Sequence, residues 1–458
     1  MTPLHSSIPG IQWPAFVTGE TATLMALLWQ LEQSQWRPAA EINELQFCQL
    51  SQVVAHAART VPFYRERCET LGLGGNRAVS PAEWREFPIL SRRDVQLAGD
   101  SLHSTDKRPL HGRLGQVLTS GSTGQPIQGL TTDVTRAFWR AFTIRDHLWH
   151  RPTTQGRLAA IRDTTSVNAR PPHGERLVDW GTATRGILKT GDGALLSIQS
   201  TVDEQVDWLR RIEPSYLLAY PTTVRALAQH AIEHQWRLPE LVEVRTFGEV
   251  LEPECRRLCR EAWAVRVVDL YSAAEVGYIA LQCPQHEHYH VQSEGMLVEV
   301  VDEQGRPCAA GEVGRVLLTT LHNFAMPLLR YEIGDFAEVG ETCPCGRGLP
   351  VLRRILGRQR NMMTLPDGSR RWPDLARGER PEQLPAVLQF QVIQRSVDEL
   401  EVLIVRPAPI TDEEAGRMTR YLRQTLGCEF RIRYTLVDSI PRSRSGKYED
   451  FKSDVASE

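Results

Sequence analysis

From Leu114 onward, short apolar runs alternate with helical stretches, and this alternation restricts the fold more than any other feature of the chain. GQVLTS, SYLLAY, VEVRTF, VRVVDL and GMLVEVVD read as strands, with helices over residues 202–212 and 223–234 between them. Strands that alternate with helices predict an α/β architecture. The first hundred residues read as helical instead. Leu45, Cys48, Leu50, Val53, Val54 and Ala57 keep close to a helical period, and Pro62 then predicts a turn followed by a second short helix.

GEVGRVLLTTL and MPLLRY suggest a further β unit around residues 290–340. After Gly357 the text turns polar and rich in Arg and Pro, as a linker does. QFQVIQ, DELEVLIVR, a helix over residues 411–426 and RIRYTLVD then predict a small α+β unit. The expected division is a large N-terminal domain of mixed sheets with flanking helices, residues 1–356, and a small C-terminal α+β domain, residues 357–458.

A net charge of −3 supplies no global drive toward nucleic acid or an anionic membrane. No apolar run reaches the roughly 18–20 residues that span a bilayer, and MTPLHSSIPGIQWPAF has no basic and then apolar leader pattern. Nine scattered cysteines do not make a disulfide framework in a chain of 458 residues. A reducing cytoplasm is the expected location, with neither nucleic acid nor membrane as partner.

Val117-Leu118 lead into Thr119-Ser120-Gly121-Ser122-Thr123-Gly124-Gln125-Pro126. The two glycines allow a tight turn, and hydroxyls with freed N–H groups can ring a polyphosphate. An ordinary hydrophilic turn has the same composition. The spacing is not that of a Walker loop, and no lysine closes it. Downstream, in order, stand Tyr220-Pro221, Gly248-Glu249, Tyr271-Ser272-Ala273-Ala274-Glu275, Arg330-Tyr331-Glu332-Ile333-Gly334-Asp335, Gly357-Arg358 and Pro441-Arg442-Ser443-Arg444-Ser445-Gly446-Lys447.

This ordered series resembles the motif set of the AMP-forming adenylating enzymes; residues 271–275 resemble its YGxTE element, with Ser272 in place of the glycine and Ala274 in place of the threonine. It is most similar to the phenylacetate–coenzyme A ligase branch, including relatives found with capsular polysaccharide genes; HAARTVPFYRER and FPILSRRDV also resemble that branch. The resemblance implies ATP, Mg²⁺ and a carboxylic acid as reactants, with acyl-AMP and pyrophosphate formed first. It implies that the small C-terminal domain is mobile about a hinge.

Two anions meet in such a reaction, so a cation is needed where negative charge gathers. Lys447 is the expected catalytic cation, and Glu275 the expected ligand of Mg²⁺, a hard ion that takes oxygen donors. Thr119, Ser120, Gly121, Ser122, Thr123 and Gly124 are expected at the phosphates of ATP. Gly248, Glu249, Tyr271 and Ser272 are expected around adenine, Asp335 at the ribose hydroxyls, and Arg358 at ribose or phosphate. A turn aspartate and a solvated arginine are the plainer alternatives for the last two.

Cys283, His286, His288 and His290 fall in one short stretch, and Cys343 and Cys345 in another about sixty residues on. Thiolates and imidazole in a set of four suit tetrahedral Zn²⁺. The family resemblance points to Cys283, His290, Cys343 and Cys345 as a structural zinc site, with His286 and His288 as further candidates. At the hinge, Asn361 stands where related ligases carry an acidic residue. Coenzyme A is the expected acyl acceptor, with Arg353, Arg360, Arg370 and Arg371 near its phosphates. An amine acceptor and a non-catalytic nucleotide-binding relative are the alternatives. The resemblance favours an aryl or arylacetic acid as the acid.

Overall fold

The computed structural model describes residues 17–75, 77–106, 111–118, 127–150, 153–358, 361–373, 389–406, 408–440 and 448–455. Among these, five helices come first: α1 (Gly19–Ser34), α2 (Ala39–Thr60), α3 (Pro62–Thr70), α4 (Pro81–Arg85) and α5 (Arg92–Ala98). Pro62 opens α3, where its missing N–H costs nothing. Ser80 with Glu83, and Ser91 with Asp94, cap α4 and α5 reciprocally. A ribbon of β1 (Gly115–Leu118) and β2 (Gln128–Thr131) follows. The phosphate-loop residues 119–126 join the two and lie outside the described residues.

Next come α6 (Asp133–His150), β3 (Leu158–Arg162), β4 (Glu175–Leu177), β5 (Gly193–Ser197) and α7 (Val202–Ile212). They are followed by β6 (Tyr216–Ala219), α8 (Pro221–Glu233), β7 (Glu243–Phe247), α9 (Pro253–Trp263) and β8 (Arg266–Ala273). β5, β3, β6, β7 and β8 pair in parallel. Helices α7, α8 and α9 cover these strands with one apolar core that includes Trp208, Leu217, Leu227, Val244 and Leu258. Strands covered in this way read as continuous apolar runs, which is why SYLLAY and VEVRTF were legible.

At the end of β8 the direction reverses. β9 (Gly277–Gln282) pairs antiparallel with β8, and β10 (Tyr289–Val291), β14 (Val351–Arg358), β13 (Tyr331–Val339), β12 (Val313–Thr320) and β11 (Met296–Val301) continue antiparallel. The described strands thus make one twelve-stranded mixed sheet in the order β11-β12-β13-β14-β10-β9-β8-β7-β6-β3-β5-β4. The first helices share a second core with its antiparallel half, around Leu50, Tyr64, Trp84, Leu318 and Tyr331. Arg330 seals the join. Its guanidinium donates to the carbonyls of Arg85 (2.6 Å) and Phe87 (2.7 Å) and pairs with Glu299 at 3.2 Å.

Beyond Arg358 lie a short pair, β15 (Met363–Thr364) with β16 (Arg370–Arg371), and then β17 (Gln389–Ser396), β18 (Glu399–Val405), α10 (Asp412–Leu426), β19 (Arg431–Leu436) and β20 (Phe451–Ser453). The described strands here form a separate sheet, β19-β18-β17-β20, with its own core of Val392, Leu400, Val402, Leu422 and Phe430. Thr411 and Glu414 cap α10 at its start, and Gly427 ends it in the left-handed conformation. The fold is the expected α/β type: a large mixed-sheet unit with flanking helices, then a small α+β unit. No helix among the described residues is long and apolar enough to cross a membrane.

One buried charge cluster ties α6 to the parallel half. Arg245 of β7 bonds Asp146 of α6 and, at 3.1 Å, Glu243, which also pairs with Arg266 at 2.8 Å. Removing one member leaves buried charge uncompensated. Arg245→Met is therefore expected to cost about 3–5 kcal/mol of stability. The midpoint of denaturant unfolding checks this, and an unchanged midpoint contradicts it.

Candidate active site and a neighbouring metal corner

In an open α/β sheet, ligands collect beyond the carboxyl ends of the strands where the strand order or direction switches. Here β6, β7 and β8 deliver Tyr220, Gly248-Glu249 and Tyr271-Ser272 to one rim, and the reversal into β9 carries Glu275 in its turn. Gly248 has φ +78°, a conformation that a side chain disfavours. The opposite wall comes from β13 and β14, whose register sets Asp335 directly across from Arg358. All of these residues line a single large cleft that also borders the small unit.

The Tyr271 hydroxyl donates to Asp335 Oδ2 at 3.0 Å, and Arg358 Nε lies 3.4 Å from Oδ1. Burial, then the Asp335 charge, pushes the Tyr271 pKa well up, so its phenol stays a donor. Tyr271 belongs to the core below the cleft, with its polar tip at the rim. Glu275 is only 9% exposed, and the Tyr331 hydroxyl lies 3.4 Å from its Oε1. Glu249 accepts from the Thr222 amide (3.1 Å) and hydroxyl (2.8 Å) through one oxygen, and from the Tyr448 amide (2.7 Å) through the other. The structure thus brings Gly248, Glu249, Tyr271, Ser272, Glu275, Asp335 and Arg358 to one place. Thr119 to Gly124 and Lys447 lie outside the described residues. Tyr448, the next residue after Lys447, stands at the cleft.

Two groups here went unread in the sequence. Arg92, at the start of α5, lines the cleft and faces the Tyr331 hydroxyl, whose pKa burial raises and Arg92 opposes. Asp269 of β8 is buried, accepts from Thr246 (2.6 Å) and Tyr289 (2.8 Å), and is pushed up to about 6 by burial. The arginines expected near coenzyme A are partly engaged. Arg353 pairs with buried Glu338 at 2.5 Å, as does its neighbour Arg354, outside the expected set, at 2.7 Å, and Arg371 donates to the Leu426 carbonyl. Arg370 is exposed, and Arg360 lies outside the described residues. Asn361 donates to the Phe451 carbonyl at 3.2 Å.

At the edge of the cleft, which His288 also lines, donor atoms of Cys283, His288, His290 and Cys343 lie within 4.8 Å of one another. His288 therefore joins three members of the expected set, while Cys345 Sγ sits 3.4 Å from His290 Nε2. A tetrahedral zinc with Zn–S near 2.3 Å and Zn–N near 2.05 Å needs edges of about 3.8 Å between sulfurs and about 3.5 Å between sulfur and nitrogen. Cys283 and Cys343 are 3.8 Å apart, and the Cys345–His290 edge also fits. His288 Nε2 at 3.0 Å from Cys343 is closer than such an edge and has hydrogen-bond length. Burial pushes the Cys343 thiol up to about 12 and His290 down to about 4. Buried thiols with neutral imidazoles are the donor set that a bound cation would turn into ligands.

The fold, with its switch-point cleft and two-unit layout, is the one seen in adenylate-forming ligases. Over 461 residues the chain is 23% identical to the phenylacetate–coenzyme A ligase of Thermus thermophilus, covering 90% of this chain and 96% of that one. It is also 23% identical to the Escherichia coli phenylacetate–coenzyme A ligase, over 88% of this chain and 93% of that one. A crystal structure of 2-hydroxyisobutyryl-CoA ligase in its postadenylation state superposes with a TM-score of 0.71 at 20% identity, covering 93% and 92% of the two chains. Residues 382–454 match the CapK C-terminal domain model. The chain is thus similar over most of its length to phenylacetate–coenzyme A ligases, and it shares the fold of an acyl-CoA ligase.

The Tyr271–Asp335 bond is partly buried, so Tyr271→Phe should cost about 1 kcal/mol of stability. Thermal or denaturant unfolding reads that change. No loss at all would mean that the bond is matched by water in the native protein.

Proposed function

We propose that the chain joins a carboxylic acid to the α-phosphate of ATP, releases pyrophosphate, and passes the acyl group from acyl-AMP to coenzyme A. The observation that carries this reading is the meeting, in one switch-point cleft, of motif residues far apart in sequence: Glu249, Tyr271, Glu275, Asp335 and Arg358. Curated relatives named as coenzyme A ligases over most of the chain support the acceptor. The phosphate loop Thr119 to Gly124 cradles the polyphosphate. Gly248, Glu249, Tyr271 and Ser272 border adenine. Asp335 takes the ribose, which requires it to exchange or share the Tyr271 hydroxyl, and Arg358 steadies that carboxylate.

Glu275 holds Mg²⁺, which supplies charge neutralisation at the phosphates when bound. Lys447 brings carboxylate and α-phosphate together. The acid is aryl or arylacetic. The two structural units act as domains, residues 1–356 and 357–458, the second turning between the two half-reactions. Lys447→Ala is expected to abolish acyl-AMP formation, by at least about 10²-fold, while ATP binding by calorimetry stays intact. Unchanged acyl-AMP formation would remove Lys447 from the chemistry.

We further propose that the Cys/His corner holds one structural Zn²⁺, with Cys283, Cys343 and His290 as ligands and Cys345 as the fourth. Metal analysis of the purified protein should find about one zinc per chain, the number that a closed four-ligand site takes. Cys343→Ser should lose it and lower the unfolding temperature. A zinc-free native protein of full stability would contradict the site.

A further inference from the structure

The seam between the two units runs along Tyr448–Phe451. On its own side this segment is held by β17: Val392 N–H donates to the Asp450 carbonyl and Gln391 Nε2 to the Glu449 carbonyl, both at 2.8 Å. On the other side it meets the large unit. Arg225 of α8 grips Asp450 with two parallel bonds, Nη1 to Oδ2 at 2.7 Å and Nη2 to Oδ1 at 2.8 Å. Glu249, at the end of β7, takes the Tyr448 amide at 2.7 Å. Both side chains are about three-quarters covered, 27% and 22% exposed, and Asp450 raises the Arg225 pKa further above its usual range.

A bidentate arginine–carboxylate pair is directional, so it fixes orientation as well as distance. Its two charges can also be rehydrated when the seam opens, which an interlocked apolar seam does not permit as readily. Arg225 lies one turn into α8, the helix that starts at the cleft rim, and Asp450 is three residues after Lys447. The pair therefore fixes the segment Tyr448–Asp450 that runs into β20.

We infer that Arg225 and Asp450 are a positioning pair that orients the C-terminal unit for the acid-activating step and is released for acyl transfer. The inference rests on the proposed two-step reading. The pair touches no reacting atom. It acts through the placement of the small unit, and Glu249 completes the contact by holding the Tyr448 amide.

The test is a double-mutant cycle on the full chain, with Arg225→Gln, Asp450→Asn and both together. Two half-reactions are followed: acid-dependent pyrophosphate release, and thioester formation from supplied acyl-AMP and coenzyme A. Each single variant should slow the first by at least about tenfold in kcat. The double should be no slower than either single, because they share one interaction. The second half-reaction should stay within about twofold of the parent. Equal loss in both half-reactions, or additive losses in the double, overturns the pair. Small-angle X-ray scattering of the unliganded proteins gives a readout that needs no substrate: all three variants should broaden the distance distribution alike, and an unchanged distribution overturns the pair. If the parent releases no pyrophosphate with any acid, the two-step reading fails, and the scattering result alone decides whether the pair orients the unit.

Discussion

Everything in the cleft depends on one reversal in the main sheet. β8 leaves the parallel half and turns straight back as β9, and the hydrogen-bonded register of that hairpin places Tyr271 over the core and Glu275 at the rim. The same reversal opens the antiparallel half, in which β13, four places along the sheet from β8, carries Asp335 to 3.0 Å from the Tyr271 hydroxyl. A one-residue slip in β13 would turn Asp335 to the other face and lose the contact. The parallel half supplies Gly248 and Glu249, the antiparallel half Asp335 and Arg358. Neither half makes the site alone.

The Cys/His corner is joined to the cleft through the same strands. Tyr289 lies between His288 and His290, and its hydroxyl reaches Asp269 of β8, which in turn holds Thr246 of β7. Gln282, next to Cys283, accepts from the Asp269 amide and from Arg256. Whatever fixes the Cys/His loop therefore also stiffens β7 and β8 just below the residues they present. That is a structural use for a closed ion site, distinct from any ion at the phosphates.

Much of this was legible in the chain, for physical reasons that differ by element. The parallel strands are covered on both faces, so their apolar runs stand out, and the helix read over residues 202–212 is the observed α7. Its partner starts at Pro221, two residues before the expected start, because proline fits the first turn of a helix. α9 was not read: its buried face is built partly from Cys255, Cys259 and Ala262, which give a weak apolar signal. The motif residues were found by their order along the chain, and their convergence is a tertiary fact. Tyr271 and Asp335 are 64 residues apart, Arg225 and Asp450 225 apart, and no local period announces either pair. His288 is similar: its spacing from Cys283 is no better than that of His286, and only the fold brings its ring to Cys343. Arg353 was expected to be available for an anionic ligand, but the β13–β14 pairing puts it beside Glu338.

The central claim is that a carboxylate oxygen attacks the α-phosphorus of ATP. The most direct measurement supplies an acid labelled with ¹⁸O in its carboxylate, together with ATP, Mg²⁺ and coenzyme A, and weighs the nucleotide product. In-line attack makes that oxygen the bridge of acyl-AMP, and thiolysis cleaves the carbon–oxygen bond. The account predicts AMP carrying one ¹⁸O and unlabelled pyrophosphate. Acid-dependent turnover that yields ADP, or AMP without the label, would contradict it.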